Sequence, residues 1–466
     1  MHSIQSTSAR RGSRVLRQAS FVLATLTLSI ATAYAAPTFD KPAADFGGRV
    51  FSQGALPGSE ATIAGRMFVP GQKVTLYRAG EALNNGEAIT VGEKGTFEAK
   101  VAIPADAVPG LHPIAISAAN PAAAAVFDLK VVGKVPLSGQ DNYTVTSQKL
   151  VQGLYQTDYS PKNDRLFVTA AVGRPPVKES RLLKLNAKTL ATEADVSMAK
   201  VPNRDDGHVY AVYGVGVDDA HNNVWVTNTR ENTVAVYKQS DLKLVKQFPA
   251  GQAYHARDVV IDQKLNKAYV STPGKGQVVV FDSKKLAHKL DLAIDSGQEK
   301  GFSSMSLALD ADGHKLYVVS GSTNQAAVID TKTDKVEKVL DVPGLKGGAG
   351  IAVDPKGKRL FTVAQGSDNL VILDLDSGRV LHDVAVGQGA LNVAFDAKSG
   401  LAFVVSRGAG TVTAVNSEGK IVANLPAGTF PNHVFADGRG EVLVINKSKG
   451  ADDPEGDRIS RIVPKK

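Results

Sequence analysis

The sequence predicts an all-β protein, a seven-bladed β-propeller preceded by a β-sandwich. Three observations carry that expectation. A three-strand stretch, residues 215–237, returns with variation up to the C-terminus. The interval between copies stays near the length of one four-stranded propeller blade. Upstream, residues 36–133 lack the repeat but hold short apolar and β-branched runs punctuated by Gly and Pro, the pattern of a sandwich.

The repeat is read from the Asp that ends the first strand of each copy. It occurs at Asp218, Asp262, Asp310, Asp354 and Asp396, at intervals of 44, 48, 44 and 42 residues. Seven positions after each marker stands a large apolar residue: Trp225, Tyr269, Tyr317, Phe361 and Phe403. Weaker copies flank these, with Ser160 before Phe167 and Ala436 before Leu443. Three short strands joined by polar turns cannot bury both faces alone, so the copies must pack on one another.

In chain order, residues 1–35 read as an export signal. Arg10, Arg11, Arg14 and Arg17 give a basic start, Phe21 to Ile30 an apolar core, and Ala33-Tyr34-Ala35 a small-residue cleavage site. That core is too short to span a bilayer, and no later apolar run could, so no integral membrane segment is expected once the signal is removed. Its removal takes four arginines and no acids, lowering the net charge from +8 to +4, too mild for a dedicated duplex-DNA protein. With no cysteine in the chain, disulfides, thiolate metal sites and thioether-attached haem are excluded.

Runs at 61–63, 74–77, 88–91, 97–103, 112–116 and 124–131 alternate with Pro70-Gly71, Glu93-Lys94-Gly95 and Pro109-Gly110. The stretches F-V-P-G-Q-K-V-T-L-Y, G-T-F-E-A-K-V-A-I-P and P-G-L-H-P-I resemble bacterial immunoglobulin-like modules, which act as spacers or adhesion units. Residues 134–142 read as a linker. Residues 143–151 form a lone strand ahead of the first marker. Because the C-terminal copy offers only three strands, this segment is expected to complete it and close the ring. The propeller then runs over 143–466. Its first blade is enlarged at 171–180 and 198–213, and its last carries the acidic insert 452–457.

V-W-V-T-N and N-T-V-A-V, with K-A-Y-V-S-T, K-L-Y-V-V-S and N-L-V-I-L-D in later copies, resemble the YVTN-type β-propeller repeat, a WD40-like array. The enlarged first blade and the D-D-P-x-G-D-R-I ending are similar to the YncE-like periplasmic propellers. The resemblance covers residues 140–466. It implies a periplasmic ligand- or partner-binding module, with links to single-stranded DNA.

In such a blade, loops before the innermost strand and loops between the second and third strands share one face. The candidate ligand-binding residues there are His208, Tyr210, Tyr254, His255, Arg257, Phe302, Asn392, Phe430, His433, Arg174, Arg230 and Arg407. Tyr and Phe could stack bases while Arg follows a phosphate backbone. Asp205, Asp206, Glu231, Asp258 and Asp368 in the same loops are expected to dilute that field. His208, His255 and His433 are the candidate ligands for Zn or Cu, and the 452–457 insert for Ca²⁺, though its spacing fits no EF-hand. No catalytic motif is present, and the expectation is no cofactor and a non-enzyme. The function expected is a monomeric periplasmic binding module for an envelope protein or an anionic polymer such as single-stranded DNA. A metal-dependent, lactonase-like hydrolase or lyase at the channel mouth, or a structural envelope scaffold, are the alternatives.

Overall fold

The computed structural model describes residues 39, 42–43, 45–83 and 86–465, so the expected export signal lies outside the described residues. Two sheets make the N-terminal sandwich. One orders Arg49–Ser52, Glu60–Arg66 and Phe97–Ala102. The other orders Glu81–Ala82, Lys73–Arg78, Gly110–Ala119 and Ala123–Val131, with Ile89–Thr90 also on Lys73–Arg78. Strict in–out alternation along Glu60–Arg66 and Phe97–Ala102 turns Ala61, Ile63, Phe97, Ala99 and Val101 inward. These share one core with Val74, Leu76, Ile114, Ile116 and Leu129, and Phe46, Phe68 and Phe97 meet edge to face within it.

Seven four-stranded antiparallel sheets follow, together a β-propeller. Their first strands are Leu154–Ser160, Val212–Asp218, Val259–Asp262, Ser304–Asp310, Gly348–Asp354, Ala390–Asp396 and Pro431–Ala436. First strands of neighbouring sheets lie side by side, and the seventh meets the first, so together they wall a central channel. The approach is close enough to select glycine. A Cβ on Gly214 would lie 2.4 Å from the Arg257 carbonyl oxygen, and one on Gly350 would lie 2.7 Å from the Asn392 Cα.

Each marker aspartate does local work at the first turn of its sheet. The carboxylates of Asp218, Asp262, Asp310, Asp354 and Asp396 accept from the backbone N–H of His221, Leu265, Gly313, Gly357 and Ser399 respectively, all three residues on. The aromatic seven positions later then falls on the second strand and is buried against the adjacent sheet, Trp225 beside Phe248 and Phe281 being the largest case. The first sheet carries its two inserts packed on one another. Lys200 pairs with Val209, and Val177 is wholly buried.

The last sheet is assembled from both chain ends. Val442–Asn446 pairs with Arg458–Pro464, which pairs with Tyr143–Lys149 in register Arg458↔Lys149 through Pro464↔Tyr143. The insert secures this seam. Asp457 accepts from the Gly153 N–H at 2.8 Å, and its carbonyl from the Leu150 N–H at 2.8 Å. Asp453 is likewise spent on the N–H groups of Lys449 and Glu455. Acids occupied in fixing a loop are poor calcium ligands, and this corrects the reading of residues 452–457 as a calcium site.

The sandwich rests on the fifth and sixth sheets. Ser138, between the two domains, exchanges backbone hydrogen bonds with Asn424 on the outer strand of the sixth sheet, at 3.0 and 2.9 Å. That pairing covers part of a sheet edge.

Candidate functional site

The channel opens on one face through a mouth of about 360 Å³. Its wall is built by the N-terminal ends of first strands: Tyr155, Gln156, Tyr213, Leu391, Asn392, Asn432 and His433. The approach to the third sheet adds His255 and Arg257, and loops between second and third strands add Thr229, Arg230, Gln365 and Arg407. No lining residue is acidic.

The cations are held by neutral groups. Arg257, buried in the channel wall, donates to Ser306 Oγ at 2.6 Å and to the Ala349 carbonyl at 3.4 Å. Arg230 donates to the Tyr213 hydroxyl at 3.2 Å. Arg407 donates to Asn432 Oδ1 at 2.7 Å and stacks over Phe430, its guanidinium 5.0 Å from the ring centre. Lys447 sits with Nζ 3.2 Å from the centre of the Tyr155 ring, which meets Tyr213 edge-on at 4.1 Å. Among the described residues, none of these four cations has a carboxylate within ion-pair distance.

Titration follows from burial and crowding. Burial, reinforced by Arg407 and partly offset by Asp457, lowers the Lys447 amine to about 7. Burial and then Arg257 lower His433 to about 3, so its imidazole is neutral. His255 is also held below its ordinary value, by burial first and then by Arg230 and Arg257. The standing positive charge at neutral pH therefore comes from guanidinium groups.

Of the five acids of the surrounding loops, two act on this charge, Asp258 on Arg257 and Glu231 on Arg230. Glu231 is buried, accepting from His208 Nε2 at 2.6 Å and from the Ala211 N–H at 3.1 Å. Asp258 accepts from Gln156, Val259 and Leu307, on the inner side of the wall. Asp206 is paired with Arg204 in an exposed loop, Asp205 is exposed beside it, and Asp368 is paired with Lys130 of the sandwich. Asp258 and Glu231 thus temper the field at Arg257 and Arg230, while Asp206 and Asp368 are each paired with another cation.

Of the twelve residues singled out from the sequence, His255, Arg257, Asn392, His433, Arg230 and Arg407 converge on the mouth. Phe430 backs Arg407 from just behind. Tyr254 is exposed outside the mouth, its ring laid against Gly274 with Lys275 over it at 5.8 Å. Arg174 is an exposed loop residue and Tyr210 packs at the edge of the core between the first two sheets. Phe302 is a core residue between the third and fourth sheets, because the chain before that first strand turns inward. His208 is buried with both ring nitrogens engaged, Nδ1 accepting from the Val177 N–H at 2.7 Å and Nε2 bonded to Glu231. It therefore cannot join His255 and His433 around a metal without breaking its own insert. Among the described residues no group of three His, Cys, Asp or Glu is placed to hold a metal ion.

Sequence reasoning passed over Tyr155, Gln156, Tyr213 and Leu391. A signal was available: counting back five and four positions from each marker gives Tyr155, Gln156, Tyr213, Arg257, Leu391, Asn392 and Asn432, more than half of the lining.

Below a neck formed by Gln156, Asn392 and His433, the channel widens into a second chamber of about 470 Å³ at the opposite face. Its wall carries Val215, Val217, Ile261, Leu307, Leu309, Ile351, Val353, Val393, Phe395 and Phe435, interrupted by the acids Asp158 and Asp258 and by Thr157 and Gln263.

Comparison with known proteins agrees with this architecture. The profile of the cytochrome D1 heme domain family matches residues 107–365. The uncharacterized protein YncE of Escherichia coli K12 and its O157:H7 counterpart are each 25% identical over 246 residues, covering 50% of this chain and 65% of theirs. Among solved structures, virginiamycin B lyase from Staphylococcus aureus superposes with a TM-score of 0.53 at 13% identity, over 69% of this chain and 99% of the lyase. The RRP9 WD40 repeats give 0.55 at 11%, over 71% and 100%. Hydrazine synthase of Kuenenia stuttgartiensis gives 0.52 at 15%, over 63% and 92%. At these identities the structures share the propeller fold alone.

The family name implies a haem, and the mouth does not fit one. Axial ligation asks for a side-chain donor standing free over the macrocycle, and His255 and His433 are the two imidazoles present. His433 is in the neck, where its Nδ1 accepts from the Thr157 N–H at 3.4 Å. His255 stands beside Arg230 and Arg257, whose charge opposes a cationic metal centre. A flat macrocycle also needs apolar walls, and Leu391 is the one aliphatic side chain in the lining. Five lining residues, Leu391, Asn392, Arg407, Asn432 and His433, lie beyond the matched segment.

Proposed function

The chain belongs to the cytochrome D1 heme domain family, and on that propeller frame we propose that the mouth is a binding site for a compact polyanion bearing phosphate groups. The observation that carries this reading is the set of Arg230, Arg257 and Arg407 lining one cavity, hydrogen-bonded to neutral groups, with Lys447 over the Tyr155 ring beside them and no acid in the lining. Cations in a part-buried cleft carry a desolvation cost that an arriving anion offsets, and Arg supplies the forked geometry that phosphate prefers. A cavity of about 360 Å³ suits one nucleotide-sized or oligophosphate unit. A longer anionic polymer such as single-stranded DNA would enter by one unit. The rest would lie outward over Tyr254, Lys275 and Lys449.

The reading extends to setting. The charged, apolar-core, small-residue order of residues 1–35 and the likeness to YncE support an exported, periplasmic binding protein. The seven four-stranded sheets and the two-sheet N-terminal core support seven blades behind an immunoglobulin-like module. Among the described residues no helix is long and apolar enough to cross a membrane.

The test is a calorimetric titration with inorganic tripolyphosphate and with a single-stranded oligonucleotide, over a series of salt concentrations. Saturable binding with a steep salt slope is expected. For the oligonucleotide, Arg230→Gln with Arg407→Gln should flatten that slope by about 1.4, roughly 0.7 for each lost phosphate contact. Absence of binding by both probes at low salt would overturn the reading.

A further inference from the structure

One strand of the sandwich bonds to the loops of the fifth sheet beside the mouth. Lys130, on Ala123–Val131, donates to the Gln365 carbonyl at 2.6 Å and pairs with Asp368 Oδ1 at 2.5 Å, both side chains largely buried. Asp368 in turn accepts from the Gly389 N–H at 2.6 Å. Two residues along the same strand, Asp128 pairs with Lys346 at 2.5 Å. The Lys346 carbonyl accepts from the Gly366 N–H at 2.9 Å, and the Lys346 N–H donates to Ser367 Oγ at 3.0 Å. One sandwich strand thus grips both loops of the fifth sheet on this face, 344–347 and 365–368, and Gln365 lines the mouth.

We propose that Lys130 is a positioning residue for the polyanion site, and that the sandwich sets the mouth's geometry and charge rather than serving as a spacer. This rests on the binding reading above and adds a role for the N-terminal domain. Two physical effects act together. Lys130 fixes the Gln365 backbone from outside the propeller. It also neutralises Asp368, whose carboxylate would otherwise stand uncompensated beside the cationic mouth. Burial acts to raise Asp368 towards its neutral form, while Lys130 and the Gly389 N–H act to keep it charged. An ion pair this enclosed leaves an unpaired buried charge when one partner is removed, so the loop should rearrange when Lys130 is lost.

The experiment uses the full chain, with Lys130→Met as the isosteric neutral variant and Lys130→Arg as the conservative one. Tripolyphosphate affinity and hydrogen exchange across residues 344–347 and 365–368 are measured together. Lys130→Met should weaken binding by roughly twofold to thirtyfold, the range for residues that act through a network. It should leave the salt slope unchanged, because Lys130 does not touch the anion, and it should speed exchange in both loops. Lys130→Arg should stay within about twofold of the parent in affinity. If Lys130→Met fails to fold, Asp368→Asn breaks the same pairing at constant shape: it should speed exchange in both loops, while the Lys130 charge it frees should keep affinity for tripolyphosphate at or above that of the parent, and unchanged exchange there would overturn the clamp. Unchanged affinity together with unchanged exchange would overturn the proposal. If the parent protein binds no tripolyphosphate, the binding reading falls, whereas faster loop exchange in Lys130→Met would still uphold the clamp.

Discussion

The two ends of the channel are made by the same seven strands, yet they differ in nearly every chemical respect. At one face the wall is Tyr, Gln, Asn, His and Arg, with positive charge. At the other, Val, Ile, Leu and Phe predominate, and the charged residues among them are the acids Asp158 and Asp258. The difference follows the repeat. Three positions and one position before each marker stand Val215 and Val217, Val259 and Ile261, Leu307 and Leu309, Ile351 and Val353, Val393 and Phe395. Five and four positions before it, the residues change from copy to copy: Tyr155-Gln156, Tyr213-Gly214, Arg257-Asp258, Met305-Ser306, Ala349-Gly350, Leu391-Asn392 and Pro431-Asn432. In five of the seven sheets the lower wall is thus a repeated apolar pair, the first and seventh carrying Thr157 and His433 at its first position, while the upper wall is individual to each sheet.

That contrast can be broken by exchanging the characters of the two ends, and the largest effect should come from the lower wall. Val217→Asp places a carboxylate in the apolar chamber, on the strand whose Val217 N–H already donates to Asp158 Oδ2 at 2.7 Å. Asp158 is itself pushed up to about 7 by burial, so a second acid there has no compensating charge. The variant should lose roughly 3 kcal/mol or more of stability in denaturant titration, while its folded fraction binds tripolyphosphate as the parent does. A loss of affinity with stability intact would mean that the chamber, not the mouth, is the binding end.

The upper end should answer in the opposite sense. Arg257→Met removes a buried cation that donates to Ser306 Oγ and a carbonyl and lies in the field of the buried Asp258, and replaces it with an apolar chain of similar length. Stability is expected to stay within about 2 kcal/mol of the parent, since relief of one buried charge is set against the loss of the cation beside Asp258. Tripolyphosphate affinity should fall at least about tenfold, as charge-assisted contacts to phosphate are lost. If Arg257→Met instead unfolds the protein, Arg257 is a structural pillar and the mouth's charge is incidental.

The same contrast explains what the sequence made legible. The all-β fold and the propeller were open to reading because Asp at a turn and an aromatic on the next strand recur wherever a sheet packs on its neighbour. The face carrying the mouth could also be inferred, since strand order alone decides which loops lie together. Side-chain partners could not. His208 and His255 lie ahead of first strands and His433 near the start of one, but only the insert at 198–213 folds back to give His208 a glutamate and a backbone N–H. Likewise Asp368 reads as a loop acid until Lys130, 238 residues away in the chain, is seen beside it. Partners supplied by inserts or by another domain leave no periodic trace.

The smallest expected effect, and the most specific to the upper end, is a pH dependence carried by Lys447. In the free protein its amine sits at about 7, with burial as the first cause and Arg407 as the second. An anion in the mouth favours the ammonium and raises that value, so the complex holds more protons than the free protein above about pH 7. Affinity should then be greatest below that point and decline as pH rises through the window above it. Folding stability should run the other way. The unfolded chain, with an ordinary lysine value near 10.5, holds the extra proton across the same window, so the free protein gains stability as pH rises. His255 titrates lower, and Arg407 and Tyr155, which face the amine, do not change charge between pH 7 and 9. Across pH 7 to 9 the last proton of tripolyphosphate and Asp158, at about 7, titrate as well, so Lys447 is read as the difference between the parent and Lys447→Met titrated side by side. Lys447→Met should flatten both slopes at once. A pH slope in affinity that is the same in the two proteins would remove Lys447 from the site.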